Sequence, residues 1–178
     1  MDVLRRHIRY RRYHRTEDPS MLMVDCQVVK GARGGRSFHE PNGMARLNGA
    51  KRTIAIDYLG LPVAASVIGA RRHDVRAGRE LLDQVLPRLP KVKTILCDRG
   101  FTVMTEAVAR DHGVEVKVMH KEGRKKGTFE PIQPLWKVED AFAQLGRSGR
   151  LAPSFEGTEA SATAWLQVAC VGYLLTLV

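Results

Sequence analysis

Cysteine is scarce in this chain of 178 residues. Cys26, Cys97 and Cys170 lie far apart and form no Cys-x-x-Cys pair. An odd and scattered set excludes a secreted domain held together by disulfides, and also a zinc site built from cysteine pairs. We therefore expect reduced, structural thiols and a cytoplasmic protein.

Long apolar segments are also few. Residues 1–15 are strongly charged and contain no apolar stretch, so they do not have the pattern of a signal peptide. Residues 162–178 form an apolar run at the lower edge of membrane-spanning length. The run contains Gln167, and no Lys or Arg follows it. We predict a buried terminal helix packed on a sheet, with attachment to a membrane as the alternative.

Acidic residues are outnumbered by basic ones. The chain has 29 Lys and Arg against 19 Asp and Glu, which gives a formal net charge of +10. Such an excess favours a polyanionic partner, because contacts with phosphates release counterions and supply most non-specific affinity for DNA. A solvated basic surface and an anionic membrane surface are the other interpretations of the charge.

Apolar periodicity predicts an α/β fold. Gly60 and Pro62 lie between two strand-like segments, which indicates a tight turn and an antiparallel hairpin. Asp74 precedes an amphipathic stretch and is expected to cap a helix. The predicted strands are 21–29, 52–59, 62–70, 93–100 and 114–120. The predicted helices are 75–86, 101–113, 136–145 and 162–178. This order predicts a mixed sheet with helices on its faces.

Three carboxylates fall at places where an acid needs an explanation. Asp25 interrupts the most apolar early strand, and Asp98 ends another apolar strand. Glu139 follows the core position Val138 in the first turn of an amphipathic helix. If the three converge, their oxygens would select hard cations, namely two Mg²⁺ or Mn²⁺ ions of the kind that support phosphoryl displacement.

Each acid also has a purely structural interpretation. Asp25 fits a strand-edge aspartate, Asp98 fits the start of a turn, and Glu139 fits an acid favoured by the helix dipole. Asp57 also lies in an apolar strand and competes for membership of the triad. It directly precedes the turn at Gly60, so a role in that turn suits it better.

Four motifs carry a family resemblance. They are the segment 24–30 (VDCQVVK), the segment 51–61 (KRTIAIDYLGL), the segment 98–101 (DRGF) and the segment 136–147 (WKVEDAFAQLGR). In this order they resemble bacterial insertion-sequence transposases of the DDE type, in the group named for insertion sequence five. The resemblance runs from about residue 20 to the end of the chain.

The resemblance implies a ribonuclease-H-like fold in which Asp25, Asp98 and Glu139 are the catalytic and metal-binding residues. It also implies DNA strand cleavage and strand transfer, with transposon ends and target DNA as partners and a homo-oligomer as the active form. The expected location is the bacterial cytoplasm, in association with the nucleoid. Cys26 and Asp140 depart from the family pattern, which often has Ser and Arg at these two positions.

Members of that family carry a helical region before the catalytic domain. We expect residues 1–20 to be a basic remnant of such a DNA-binding region, residues 21–178 to be the catalytic domain, and the chain to be truncated at its N-terminus. Two alternatives remain: another ribonuclease-H-like nuclease, and a DNA-binding transposase remnant without catalysis. The candidate DNA contacts are Lys121, Arg124, Lys125, Lys126, Arg147, Arg150, Lys30 and Lys51.

Overall fold

A computed structural model describes residues 1–32, 38–119 and 134–178 of the chain. A mixed sheet of six strands forms the centre of this part. The strands are β1 (Met21–Lys30), β2 (Glu40–Asn42), β3 (Leu47–Asp57), β4 (Pro62–Gly69), β5 (Thr94–Cys97) and β6 (Glu115–Val118). The five strands that the sequence predicts are all present, and the short strand β2 lies in a segment predicted as a loop.

The sheet is antiparallel on one side of β1 and parallel on the other. Strand β3 runs antiparallel to β1, and both β2 and β4 pair antiparallel with β3. Strands β5 and β6 extend the sheet in parallel with β1. The β3–β4 connection is the predicted tight hairpin, in which Gly60 has a φ of 86°.

Helices cover both faces of this sheet. They are α1 (Asp2–Arg11), α2 (Asp74–Val85), α3 (Thr105–His112), α4 (Trp136–Gly146) and α5 (Glu159–Leu175). Short 3₁₀ turns precede α3 and follow α2 and α4. Leu81 of α2 and Val108 of α3 belong to one core cluster, while Phe142 of α4 and Leu166 of α5 belong to the other. The mixed α/β prediction is confirmed.

Strand alternation assigns the residues of β1 to the two cores. Leu22 and Val24 pack towards α2, whereas Met23 packs towards α4 and α5. Because neighbouring strand residues point to opposite faces, Asp25 shares the face of Met23 and lies on the α4 side of the sheet.

Helix α5 seals the outer edge of β4. Thr163 Oγ1 accepts from the backbone N–H of Val67 at 2.9 Å, and Gln167 Nε2 donates to the carbonyl oxygen of Ala65 at 3.2 Å. Glu159 Oε1 accepts from the N–H of Gly69 at 3.0 Å. These side chains are spaced one helical turn apart, so they satisfy alternate backbone groups that none of the described strands pairs with.

This arrangement explains Gln167 within the apolar C-terminal run. The helix packs on the sheet as expected, but only one of its faces is buried: Trp165 and Val168 are 40% and 59% exposed. In the described part of the chain, no helix has the length and apolarity needed to cross a membrane.

The arginines of the N-terminal segment are divided between the surface and the core. Helix α1 turns two of them inwards. Arg5 is fully buried and donates to the carbonyl oxygen of Glu17 at 3.0 Å. Arg9 donates to Asp57 Oδ2 at 2.5 Å, and Asp57 is itself fully buried.

Asp57 is the anchor of this end of the molecule. Its Oδ1 accepts from the backbone N–H groups of Leu59 and Leu61 at 2.9 and 3.0 Å. The turn role predicted for Asp57 is therefore confirmed. The ion pair with Arg9 additionally ties α1 to the hairpin, a link that no local pattern in the sequence indicates.

We expect Arg9→Met to lower the free energy of unfolding by about 3–5 kcal/mol, since it leaves the Asp57 carboxylate buried without its partner. Urea denaturation followed by circular dichroism measures the change. Arg11→Met, on the exposed side of the same helix, is the matched control and should cost less than about 0.5 kcal/mol. Equal losses in the two variants would contradict the anchoring role.

We expect Thr163→Val to lower the free energy of unfolding by about 1–3 kcal/mol, because the buried N–H of Val67 loses its acceptor without a change in side-chain shape. Hydrogen exchange of the Val67 amide should accelerate in parallel. Thr163→Ser keeps the hydroxyl and should protect that amide nearly as well as the parent chain. Unchanged exchange in the valine variant would show that Thr163 does not seal the edge.

Candidate active site on the α4 face of the sheet

Asp25 lies in the middle of β1, opposite Ile54 of β3. Its side chain is half-buried, and Oδ1 accepts from the backbone N–H of Cys26 at 2.7 Å. The pairing of β1 within the sheet leaves the backbone little freedom to move this carboxylate. The residue is therefore held rigidly beside an apolar core.

Asp98 directly follows β5. The parallel pairing of β1 with β5 reaches Met23 and Leu96, and both of these side chains belong to the core on the α4 side. Asp98 keeps an extended backbone, so continuing the register by two residues places it level with Asp25 on the same face. Asp98 Oδ1 also accepts from the N–H of Gly100 at 2.8 Å, so the turn role predicted as an alternative is present as well.

Glu139 lies in the first turn of α4 and is exposed. The helix is seated on the sheet by four buried apolar residues, among them Val138 and Phe142. Lys137 fixes the start of the helix: its Nζ donates to the carbonyl oxygen of Tyr58 at 2.6 Å and lies 4.2 Å from the centre of the Tyr58 ring. The first turn of α4 is thus attached to the β3–β4 hairpin.

Burial and neighbouring negative charges disfavour the charged form of Asp25. Burial raises the pKa of Asp25 to about 7. The negative charges of Asp98 and Glu139 raise this pKa in the same direction, and that of Asp74 adds a smaller contribution. A negative potential therefore surrounds Asp25.

The donor set of this site suits a hard divalent cation. Asp25, Asp98 and Glu139 offer oxygen only, which is the ligand type that Mg²⁺ and Mn²⁺ prefer. Among the described residues, no three His, Cys, Asp or Glu side chains already stand in the arrangement of a metal site. The fit rests on the chemistry of the donors and on their mutual repulsion, which a bound cation would relieve.

A fourth acid, Asp74, lies beside Asp98. A Cβ atom built on Gly100 would be 3.0 Å from Asp98 Oδ1 and 3.3 Å from Asp74 Oδ2, so the two carboxylates flank this glycine. The prediction that Asp74 caps α2 is wrong. His73 is the cap and accepts from the N–H of Val75, while Asp74 forms an ion pair with Lys51.

The cysteines next to the candidate ligands behave as predicted. Cys26 and Cys97 are free thiols on the opposite face of the sheet, packed in the α2 core. Cys26 Sγ lies 3.1 Å from Thr53 Oγ1. Burial raises the pKa of both thiols, so neither is a reactive thiolate.

The candidate DNA contacts differ in their exposure and in their partners. Lys51 is only 4% exposed and is held by Asp74 and by the carbonyl oxygen of Arg72, so the expectation that it contacts DNA is wrong. Arg150 is exposed but pairs with Glu156 at 2.9 Å and lies over the ring of Trp165. Arg147 and Lys30 are exposed. Lys121, Arg124, Lys125 and Lys126 lie outside the described residues.

Sequence reasoning missed two features of this site. It assigned Asp74 to the helix it begins, because nothing along the chain shows that the turn after β5 returns to that helix. It also named Lys51 as a candidate DNA contact, although lysine at this position is buried. A Lys-Arg pair inside an otherwise apolar strand was the one signal that could have indicated a buried charge.

Comparison with known proteins agrees with this fold. The model of a family described as transposase DDE domain matches residues 16–174. A putative transposase for insertion sequence element IS402 from Burkholderia cepacia is 29% identical over 155 residues, covering 80% of this chain and 71% of that protein. The ribonuclease-H-like arrangement and the family match lead to one conclusion: the chain belongs to the transposase DDE domain family, whose members are polynucleotidyl transferases.

Proposed function

We propose that this chain cleaves DNA strands and joins them in insertion-sequence transposition, with Asp25, Asp98 and Glu139 as its catalytic residues. The observation that carries the proposal is the shared sheet face. Asp25 from β1 and Asp98 from the end of β5 lie on the sheet face that α4 covers, and the negative charges of Asp98 and Glu139 both raise the pKa of Asp25. Within the DDE transposases, we propose that the chain belongs to the group named for insertion sequence five.

The three carboxylates would hold two Mg²⁺ or Mn²⁺ ions, which supply activation of the attacking oxygen and stabilisation of the leaving oxygen. The chain contributes the placement of the donors. Strand pairing fixes Asp25, the hydrogen bond with Gly100 orients Asp98, and the Lys137–Tyr58 contact fixes the helix that carries Glu139. Preorganised donors need little rearrangement when the ions bind.

The DNA partner requires a basic surface, and residues 1–20 are a candidate for it. Tyr10, Arg11, His14 and Arg15 line a surface cavity of about 540 Å³ next to α1. Because Arg5 and Arg9 are turned into the core, the other basic groups of this segment are left for the outer side. We propose that this surface, called the α1 basic surface, binds phosphates of transposon-end or target DNA.

Other DNA contacts remain part of the proposal. Arg147 lies just beyond α4 and Lys30 ends β1, and both are exposed. The basic segment that includes Lys121, Arg124, Lys125 and Lys126 precedes α4 in the sequence and is proposed to contact phosphates near Glu139. A homo-oligomer is proposed as the active form.

We expect Asp25→Asn, Asp98→Asn and Glu139→Gln each to reduce nicking of supercoiled plasmid by at least about a hundredfold, because each removes an anionic cation ligand. The assay uses purified chain with Mn²⁺ and follows conversion to the open circle on a gel. Asp140→Asn changes the neighbouring exposed carboxylate and is the matched control, for which nicking should stay within about twofold of the parent.

The same experiment also tests two alternative functions. If the parent chain binds plasmid but does not nick it, the chain is a DNA-binding remnant. If nicking requires the three carboxylates but prefers a four-way junction or an RNA–DNA hybrid over insertion-sequence ends, the chain is another nuclease on this fold. Nicking that survives all three substitutions would refute the assignment of the triad.

We expect the double substitution Arg11→Ala and Arg15→Ala to weaken binding of a fluorescent DNA duplex. The slope of log Kd against log salt concentration should fall by about two, because two phosphates are no longer neutralised. Fluorescence anisotropy over a series of salt concentrations measures both quantities. The matched control, Arg76→Ala with Arg110→Ala, removes two exposed arginines that already pair with carboxylates. A control with the same effect would mean that net charge alone drives binding.

A further inference from the structure

A charged pair lies on the α2 side of the sheet and reaches the turn that carries Asp98. Lys51 of β3 is almost fully buried, and its Nζ contacts Asp74 Oδ1 and donates to the carbonyl oxygen of Arg72 at 2.5 Å. Asp74 is the first residue of α2 and its side chain is 40% exposed. The pair thus joins the sheet interior to the start of a helix, and one of its members reaches the surface.

The second oxygen of Asp74 points to the turn that carries Asp98. Asp74 Oδ2 and Asp98 Oδ1 both lie close to Gly100, at 3.3 and 3.0 Å from the position of a Cβ there. Asp98 Oδ1 is already bonded to the Gly100 N–H. Lys51 therefore holds Asp74 beside the Gly100 turn, and the Gly100 N–H holds Asp98.

The pair also affects the electrostatic potential near Asp98. The Asp74 carboxylate brings a second negative charge to the turn that carries Asp98. Lys51 carries the opposite charge and offsets it. The net charge that the pair places beside the Asp98 turn consequently depends on both of its members.

We propose that Lys51 and Asp74 are positioning residues that set the affinity of Asp25 and Asp98 for a divalent cation. Asp74 adds negative potential beside the two carboxylates, and Lys51 fixes that charge in place and moderates it. This inference rests on the proposed function, because it assumes that Asp25 and Asp98 hold the cation. Asp74 itself is not assigned as a ligand.

If the pair had a structural role alone, the two variants would change cation binding in a different way. If the pair only attached α2 to β3, loss of either partner would reduce stability, and any effect on cation binding would have the same sign in both variants. A charge effect has opposite signs, since one substitution removes a negative charge and the other removes a positive one. The sign of the change in affinity therefore separates the two roles.

The test measures Mn²⁺ binding to the purified chain by electron paramagnetic resonance of the free ion, without DNA and without turnover. We expect Asp74→Asn to raise the Kd for Mn²⁺ by about three- to tenfold, because Lys51 is then uncompensated beside the site. Lys51→Met should lower the Kd by about two- to fivefold. The double variant should return to near the parent value, and thermal unfolding recorded in parallel measures the structural cost.

The neighbouring ion pair of Arg72 and Glu159, at 2.7 Å, provides the matched control. Glu159→Gln weakens an ion pair at the start of α5, which carries none of the proposed ligands, so it should leave Mn²⁺ binding unchanged. Kd values that move in the same direction for Asp74→Asn and Lys51→Met, or that do not move, would overturn the inference.

Failure of the proposed function has a distinct signature. If the parent chain binds no Mn²⁺, or if Asp25→Asn and Asp98→Asn bind it as the parent does, the assignment of the ligands is wrong. If those two variants lose binding while the Lys51 and Asp74 variants retain parent affinity, only the inference about the pair fails.

Discussion

Strand β1 is paired on both edges, antiparallel to β3 and parallel to β5, and the placement of the site depends on this double pairing. The register with β5 sets Asp98 level with Asp25. Side-chain alternation then sends both carboxylates to the face covered by α4. A slip of one residue in either pairing would turn one of the two acids into the α2 core, where thiols and hydrocarbon would surround it.

Helix α4, which carries Glu139, is held in place by side-chain contacts rather than by strand pairing. Four apolar residues seat it on the sheet, and Lys137 attaches its first turn to the hairpin that Asp57 organises. Asp57 in turn receives Arg9 from α1. The N-terminal helix is therefore linked to the support of Glu139 through two charged contacts and one tight turn.

Features that depend on local patterns could be predicted from the sequence. Apolar alternation predicts the strands, the Gly60–Pro62 turn predicts the hairpin, and strand context makes Asp25 and Asp98 candidate ligands. Prediction failed where a charge meets a partner far along the chain. Lys51, Arg5 and Arg9 have the local pattern of surface cations, because burial of a charge is decided by partners such as Asp57 and Asp74, which only the fold brings near.

Helix α5 has a consequence that goes beyond packing. Glu159, Thr163 and Gln167 occupy the hydrogen-bonding positions that an additional strand would take along β4. The helix thereby acts as a substitute strand that ends the sheet without offering a new edge. A chain shortened before Glu159 would present an open β edge to its neighbours, so its characteristic fault would be association between molecules through strand pairing as well as loss of the core.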